Sequence, residues 1–455
     1  MQKSLIFQWV WVVLGVISLV LISSCADESS DSTSTTSSTE TSTECTEDTI
    51  FATASDLSIP LLVVMVEFED QKFTYDSANE WNSKIFGSSS GQLNHYYKDI
   101  SGGTFAFTPS AESQGCENDG IIRVSLSSDH PNPGESGVTR IFLETLEDAL
   151  NVADNDIDFS SYDNELTGND TNEIEPQELQ VMFILAGYEA SYDSEKSPSV
   201  WAHAYEINGA YGVGPLSYDG VKVLNPDAND NGSGYSVFGE IQEESATIGV
   251  IAHELGHAAF GLPDLYDTDG TSEGIGAWGL MGGGSWGQKW REGLSGDTPV
   301  PLSAWSKMQL FYAPSTATPG LSSIIIRSYE DVSSDIVKIA TSASNEYFLL
   351  ENRQPVGYDL GLERFLGKDF NGGIAIWHID DGVPDNTDEN HRLVDLELAN
   401  GEINNQTNLF FLGNSTTFDA SSDPNSNLYP ENESGVAVEV LSVSGTSMTV
   451  NVTAP

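Results

Sequence analysis

The sequence predicts a mixed α+β fold that ends in an antiparallel β-sandwich, and three patterns carry the prediction. Up to about residue 315, apolar runs typical of buried strands alternate with amphipathic helical stretches. After Pro319 the chain changes to short β-rich runs divided by Gly, Asn, Asp and Pro. Late in the first region, a helical segment around His253-Glu254-Leu255-Gly256-His257 places two imidazoles on one face.

The elements follow in order. The continuous apolar run from Ile59 to Phe68 reads as a buried strand. Gln92 to Ile100 has helical spacing, and Gly102-Gly103 turns the chain into a strand over Thr104 to Thr108. Val138 to Val152 is an amphipathic helix, and Leu179 to Ala186 is a second buried strand. Residues 322–330, 335–341, 346–352, 373–380, 407–413 and 435–453 supply the strands expected of the sandwich. No repeat of fixed period interrupts this order.

At 455 residues the chain is too long for one core, and two or three domains are expected. It carries 69 Asp+Glu against 17 Lys+Arg, a formal net charge of −52. Such a polyanion repels phosphate backbones, which excludes nucleic acid as a partner. Hydrophobic residues make up 39%, enough to build cores and to exclude a disordered chain. The acidity fits either solubility in a salty medium or carboxylates available for calcium.

The first residues read as an address. Lys3 supplies a basic start, Leu5 to Ile22 is almost wholly apolar, and Ile22-Ser23-Ser24-Cys25 resembles a bacterial lipobox. Cleavage there removes residues 1–24 and leaves an acylated Cys25 in a lipid membrane, so the protein is expected in the cell envelope or, alternatively, secreted. Residues 25–49, rich in Ser and Thr, form the tether. The remaining cysteines, Cys45 and Cys116, can pair or stay free. Residues 50–318 are expected to form the chemical domain and 319–455 the sandwich.

His253 and His257 are four residues apart on a helix, about 6 Å along its axis, so both imidazoles reach a single ion. Zn2+ suits two neutral imidazoles and one oxygen ligand, with a fourth position left for water. Glu254, beside the first ligand, can take a proton from the activated water and pass it to a leaving amine. Glu243-Glu244-Ser245 offers the helix a cap, while Ile251 and Leu255 face the core. Gly256 costs a helix interior about 1 kcal/mol, which implies a close approach by another group. Asp264 is the first choice for the third ligand and Glu273 the alternative. Met281 lies downstream in a glycine-rich turn, and no tyrosine follows it closely enough to be assigned as an oxyanion donor. Asp267, Asp269 and Glu273 surround a glycine turn that can hold Ca2+, or form a solvated acidic loop.

Residues 247–286, with His253-Glu254-Leu255-Gly256-His257, Gly261-Leu262-Pro263-Asp264 and Gly279-Leu280-Met281-Gly282, resemble the secreted metalloproteases of the immune inhibitor A family. The resemblance extends to Leu93-Asn94-His95-Tyr96-Tyr97, Trp201-Ala202-His203, Glu346 to Arg353 and Gly372 to Asp380. It implies a metzincin-like catalytic domain, a zinc-dependent endopeptidase acting on proteins or peptides outside the cell, structural calcium and a β-rich domain behind the protease. The interval between His257 and Gly261 is one residue longer than the usual metzincin spacing. The folded region opens directly on the Ile59 strand, so no sizeable propeptide is expected.

His203, His378 and His391 read as satisfied structural histidines, with His203 the best placed to line a cleft. Thr167 to Glu178 resembles a degenerate EF-hand loop. Two rivals stand beside the peptidase: a non-catalytic surface protein that grips its partner with the sandwich, and a zinc hydrolase of a non-peptide bond. The presence of Glu254 argues against the first.

Overall fold

A computed structural model describes residues 57–163, 172–225, 232–328, 335–430 and 432–455. The expected leader, Cys25, the tether and Cys45 lie outside the described residues, as does the start of the EF-hand-like loop. Cys116 is disulfide-bonded, to a residue outside the described set.

The first sheet grows from β1 (Leu57–Glu67), which runs parallel to β2 (Phe105–Pro109), β3 (Ile121–Ser125) and β4 (Gln180–Glu189). There follow the short β5 (Ser199–Val200), β6 (His203–Tyr205), a hairpin of β7 (Leu216–Tyr218) and β8 (Val221–Val223), and β9 (Tyr235–Ile241). The sheet order is β2-β1-β4-β9-β6, with β9 parallel to β4 and β6 antiparallel at the edge. Alternation explains the apolar run in β1. Leu61, Val63 and Met65 enter one core, and Leu62, Val64 and Val66 enter the other.

Helices cover both faces. On the first lie α1 (Ala78–Phe86), α2 (Leu93–Ile100) and the long α4 (Ile248–Phe260), and on the second lies α3 (Arg140–Ala153). The expected cap of α4 is corrected by the structure. The helix starts at Ile248 after Thr247, because Thr247 N–H and Oγ1 both bond Gln242 Oε1 while Ser245 Oγ is taken by the Lys84 ammonium. Tertiary partners claim the residues that local sequence offers as a cap.

After the short α5 (Ala304–Leu310), β10 (Ser315–Thr316) leads into two sheets. Their strands are β11 (Gly320–Arg327), β12 (Val337–Ala340), β13 (Glu346–Arg353), β14 (Gly373–Asp380), β15 (Val394–Leu396), β16 (Thr417–Phe418), β17 (Ala437–Val440) and β18 (Ser447–Ala454), with the short α6 (Glu363–Leu366) between β13 and β14. One sheet has the order β10-β12-β13-β14-β15, the other β11-β18-β17-β16. Phe348, Leu350, Ile374 and Ile376 of the first sheet share a core with Ile326, Val438, Val450 and Val452 of the second. On the opposite face Tyr347, Leu349, Ala375 and Trp377 join the core that holds α4. The described residues therefore fall within one compact unit. Among them no helix is long and apolar enough to cross a membrane.

Residues 407–413, expected as a strand, form only a single bridge between Phe410 and Ile374. Asparagines take the backbone groups a ladder would use. Asn414 Nδ2 donates to the carbonyls of Thr407 and Leu409, each at 2.8 Å, and Asn408 Nδ2 to those of Asn400 and Glu402 at 3.0 and 2.9 Å.

His378 is buried on β14, between the rings of Phe348 and Tyr429 at 4.5 and 4.7 Å. Its Nε2 lies 3.0 Å from Glu346 Oε1 and its Nδ1 3.3 Å from Glu397 Oε1, while His391 contacts Asp380 at 2.8 Å. Burial alone lowers the pKa of His378, but the bond and charge of Glu397, with Glu346, outweigh it and hold the group above its ordinary value. Its stabilisation is thus complete below the unfolded imidazole value of about 6.5 and is lost as pH rises through the raised folded value. His378→Gln should cost about 3–5 kcal/mol in urea unfolding at about pH 6, and the gap from wild type should narrow towards about pH 9. A gap that widens with pH would contradict this account.

Candidate functional site

Helix α4 carries the site on the face turned away from its core. Ile251 and Leu255 are fully buried beneath it, and Glu254 and His253 are nearly so. His253 Nδ1 donates to Leu280 O at 2.9 Å, and His257 Nδ1 donates to Leu262 O at 2.6 Å. With those protons committed, both Nε2 atoms present lone pairs. The two Nε2 atoms are 3.2 Å apart, and each lies 3.1 Å from Asp264 Oδ1.

Three electron-rich atoms at nearly equal separation repel one another unless a cation lies among them. Asp264 Oδ1, buried, has no hydrogen-bond donor. Ligands on a tetrahedral zinc, at about 2.0–2.1 Å from the ion, stand roughly 3.3 Å apart. The donor set therefore fits that ion in chemistry and in spacing. Among the described residues it is the one group of three His, Cys, Asp or Glu whose ligand atoms converge within 4.8 Å.

The chain reaches Asp264 through Gly261, which ends the helix in the left-handed region at φ 64°. Leu262 N–H then reaches back to Gly256 O at 3.1 Å. The lengthened interval after His257 ends in Phe260, whose ring packs 5.1 Å from Phe105 and 5.8 Å from Phe311. Leu265 N–H bonds Met281 O at 2.8 Å, so the turn at Met281 holds the segment just after Asp264. The same turn explains Gly256: a methyl there would sit 2.6 Å from Met281 Sδ.

Glu254 opens with His253, His257 and Asp264 into a cleft of about 540 Å³, whose walls include Trp201, His203, Ser233 and Tyr266. Burial raises the Glu254 carboxyl above its ordinary value. Sequence reasoning missed Tyr266. Its ring stacks on His253 at 6.2 Å, and its side chain hydrogen-bonds Asp264. The signal was its place two residues beyond the third candidate ligand, not beyond Met281.

His203 lines the cleft but is structurally engaged. Its Nδ1 donates to Trp201 O at 2.7 Å and its Nε2 accepts from Tyr235 Oη at 3.2 Å. Burial pushes it down to about 4, which keeps it neutral. It sits on β6, the edge strand of the first sheet, whose residues border the cleft.

Other expected residues lie elsewhere. Glu273 is exposed and outside the His253, His257 and Asp264 group. Asp267 Oδ2 accepts from Ser272 N–H and Oγ, each at 2.8 Å, and from Thr271 Oγ1 at 3.0 Å, while Oδ1 accepts from Asp269 N–H at 3.1 Å. Its own loop fills this carboxylate, and Asp267, Asp269 and Glu273 are not gathered into a ligand set.

Residues 65–312 match the family described as immune inhibitor A peptidase M6, catalytic domain. The chain is also similar to Immune inhibitor A of Bacillus thuringiensis subsp. alesti, at 27% identity over 278 residues. That alignment covers 54% of this chain and 39% of the relative's length.

The contact between α4 and Met281 makes a testable demand. Alanine is the better helix former by about 1 kcal/mol, yet Gly256→Ala should destabilise the protein by about 1–3 kcal/mol through overpacking. In a Met281→Ala background the same change should become neutral or stabilising, read by urea unfolding of the four proteins. Equal effects in both backgrounds would remove the packing explanation.

Proposed function

Because the chain belongs to the immune inhibitor A peptidase M6 family, we propose that it is an extracytoplasmic zinc-dependent endopeptidase with Glu254 as its general base. The convergence of His253 Nε2, His257 Nε2 and Asp264 Oδ1 carries the proposal. These three residues would hold the zinc. When bound, zinc supplies a Lewis acid that polarises a scissile carbonyl and acidifies a water.

The chain's own residues do the rest. Glu254 stands next to His253 on the helix and opens into the same cleft, where it can take a proton from the attacking water and return it to the leaving amine. Tyr266 lines the cleft, and a turn of its hydroxyl away from Asp264 would let it donate a hydrogen bond to the oxygen on which charge develops. Among the described residues β6 is the last strand of its sheet, beside the cleft, and an extended peptide can add to it as a further antiparallel strand. Trp201 and Tyr266, each 39% exposed, provide apolar walls for its side chains.

The location rests on the apolar leader and the Cys25 lipobox, which favour an exported chain anchored to a membrane. We read residues 319–455 as a β-sandwich behind a peptidase domain at 50–318. Calcium at Asp267 is left out of the proposal, since the loop's own donors satisfy that carboxylate.

The test is casein cleavage by residues 26–455, with zinc content measured on every preparation. Glu254→Gln should keep its zinc and lose at least about 10²-fold in kcat. Asp264→Asn should lose the metal, whereas Glu273→Gln should keep both metal and activity. Equal cleavage by wild type and Glu254→Gln would overturn the assigned base. Zinc loss in Glu273→Gln but not in Asp264→Asn would overturn the assigned third ligand.

A further inference from the structure

Three side chains from the C-terminal sheets and their loops, the buried Arg353 and Asn386 and the half-buried Asn404, reach back to the segment that carries the site. Arg353, at the end of β13, donates from Nη1 to Trp278 O at 2.9 Å and is gripped by the Asp359 carboxylate. Asn404 Oδ1 accepts from Ala277 N–H at 2.7 Å. Asn386, 1% exposed, donates from Nδ2 to Leu265 O at 2.9 Å and to Val394 O at 2.8 Å. Its Oδ1 accepts from Val394 N–H at 3.0 Å, so β15 orients the amide.

Leu265 is the residue after Asp264. Its N–H is held by Met281 O at 2.8 Å, and its carbonyl accepts from Ile275 N–H at 3.0 Å as well as from Asn386. Leu265 is therefore held at both its N–H and its carbonyl, and one of these clamps comes from more than a hundred residues downstream. A side chain placed this way restrains the backbone beside Asp264, because a rotation that swings the Leu265 carbonyl away breaks the bond to Asn386.

We infer that Asn386 is a positioning residue of the metal centre, which sets the Asp264 carboxylate against His253 and His257 by fixing the Leu265 carbonyl. The inference rests on the reading of Asp264 as a metal ligand. A purely structural asparagine would affect stability alone. A positioning one affects metal affinity beyond stability, by the 10- to 100-fold typical of groups that orient ligands.

Asn352 provides the comparison. It too is buried, and its Nδ2 donates to two carbonyls, Ile326 O at 3.1 Å and Gly445 O at 2.9 Å, away from the site. Zinc affinity is measured by chelator competition on the full exported chain, together with the visible spectrum of the Co2+-loaded protein. Asn386→Ala should weaken zinc at least about tenfold and shift the cobalt bands, while Asn352→Ala binds both as wild type does. Asn386→Asp keeps the acceptor for Val394 N–H but removes the donor to Leu265 O and Val394 O; it should reproduce the loss, and it carries the comparison if the alanine variant does not fold. Wild-type affinity in the Asn386 variants, or equal weakening in Asn352→Ala, overturns the inference. A wild-type chain that binds no zinc overturns instead the metal-centre reading on which it rests.

Discussion

The carbonyls of Leu280 and Leu262 impose the constraint on which the centre depends, because they take the Nδ1 protons of His253 and His257. A histidine free to choose its tautomer would present a proton to the cleft as readily as a lone pair. Here the backbone decides, and both lone pairs face Asp264. Holding those carbonyls in place is the task of the surrounding structure. Leu262 is held by the turn at Gly261, and Leu280 by the loop that presses Met281 against Gly256.

That loop is in turn anchored by buried charge. Lys307, Glu351, Arg353 and Asp359 form a network between α5, β13 and the turn that follows it, with Lys307 Nζ 2.9 Å from Glu351 and Arg353 Nη1 3.2 Å from it. All four are buried or nearly so. Such a network adds little net stability over apolar packing of the same volume, but leaving one member unpaired is costly. It thus enforces one arrangement of β13 against the segment from Trp278 to Leu280. The five-stranded sheet that carries β13 has one face in each core.

Much of this could be read in the chain, and what could not has identifiable causes. The double-sided burial of β1 showed in its unbroken apolar run, and α2, α3 and β4 lay close to their expected spans. His253 and His257 were legible because helical spacing is local. The cap of α4 was not, since the partners of Thr247 and Ser245 are set by tertiary contact. The strand expected at 407–413 failed for a related reason, asparagine side chains capturing its backbone. Gly256 announced that a neighbour must come close but could not name it, and the neighbour is twenty-five positions away at Met281. Tyr266 lay within reach of the sequence, two residues beyond Asp264, whereas Asn386 and Asn404 carried no motif, and only the folded chain shows them beside the site.

The clamps of Asn386 and Asn404 on the segment around Asp264 also have a meaning in time. A polypeptide emerges from the ribosome starting at its N-terminus. The helix with both histidines is finished long before the residues that brace its surroundings, and the five-stranded sheet awaits β14 and β15. A nascent chain therefore carries the motif without the scaffold, and the order of synthesis postpones the bracing of the Asp264 segment until Asn386 and Asn404 have appeared.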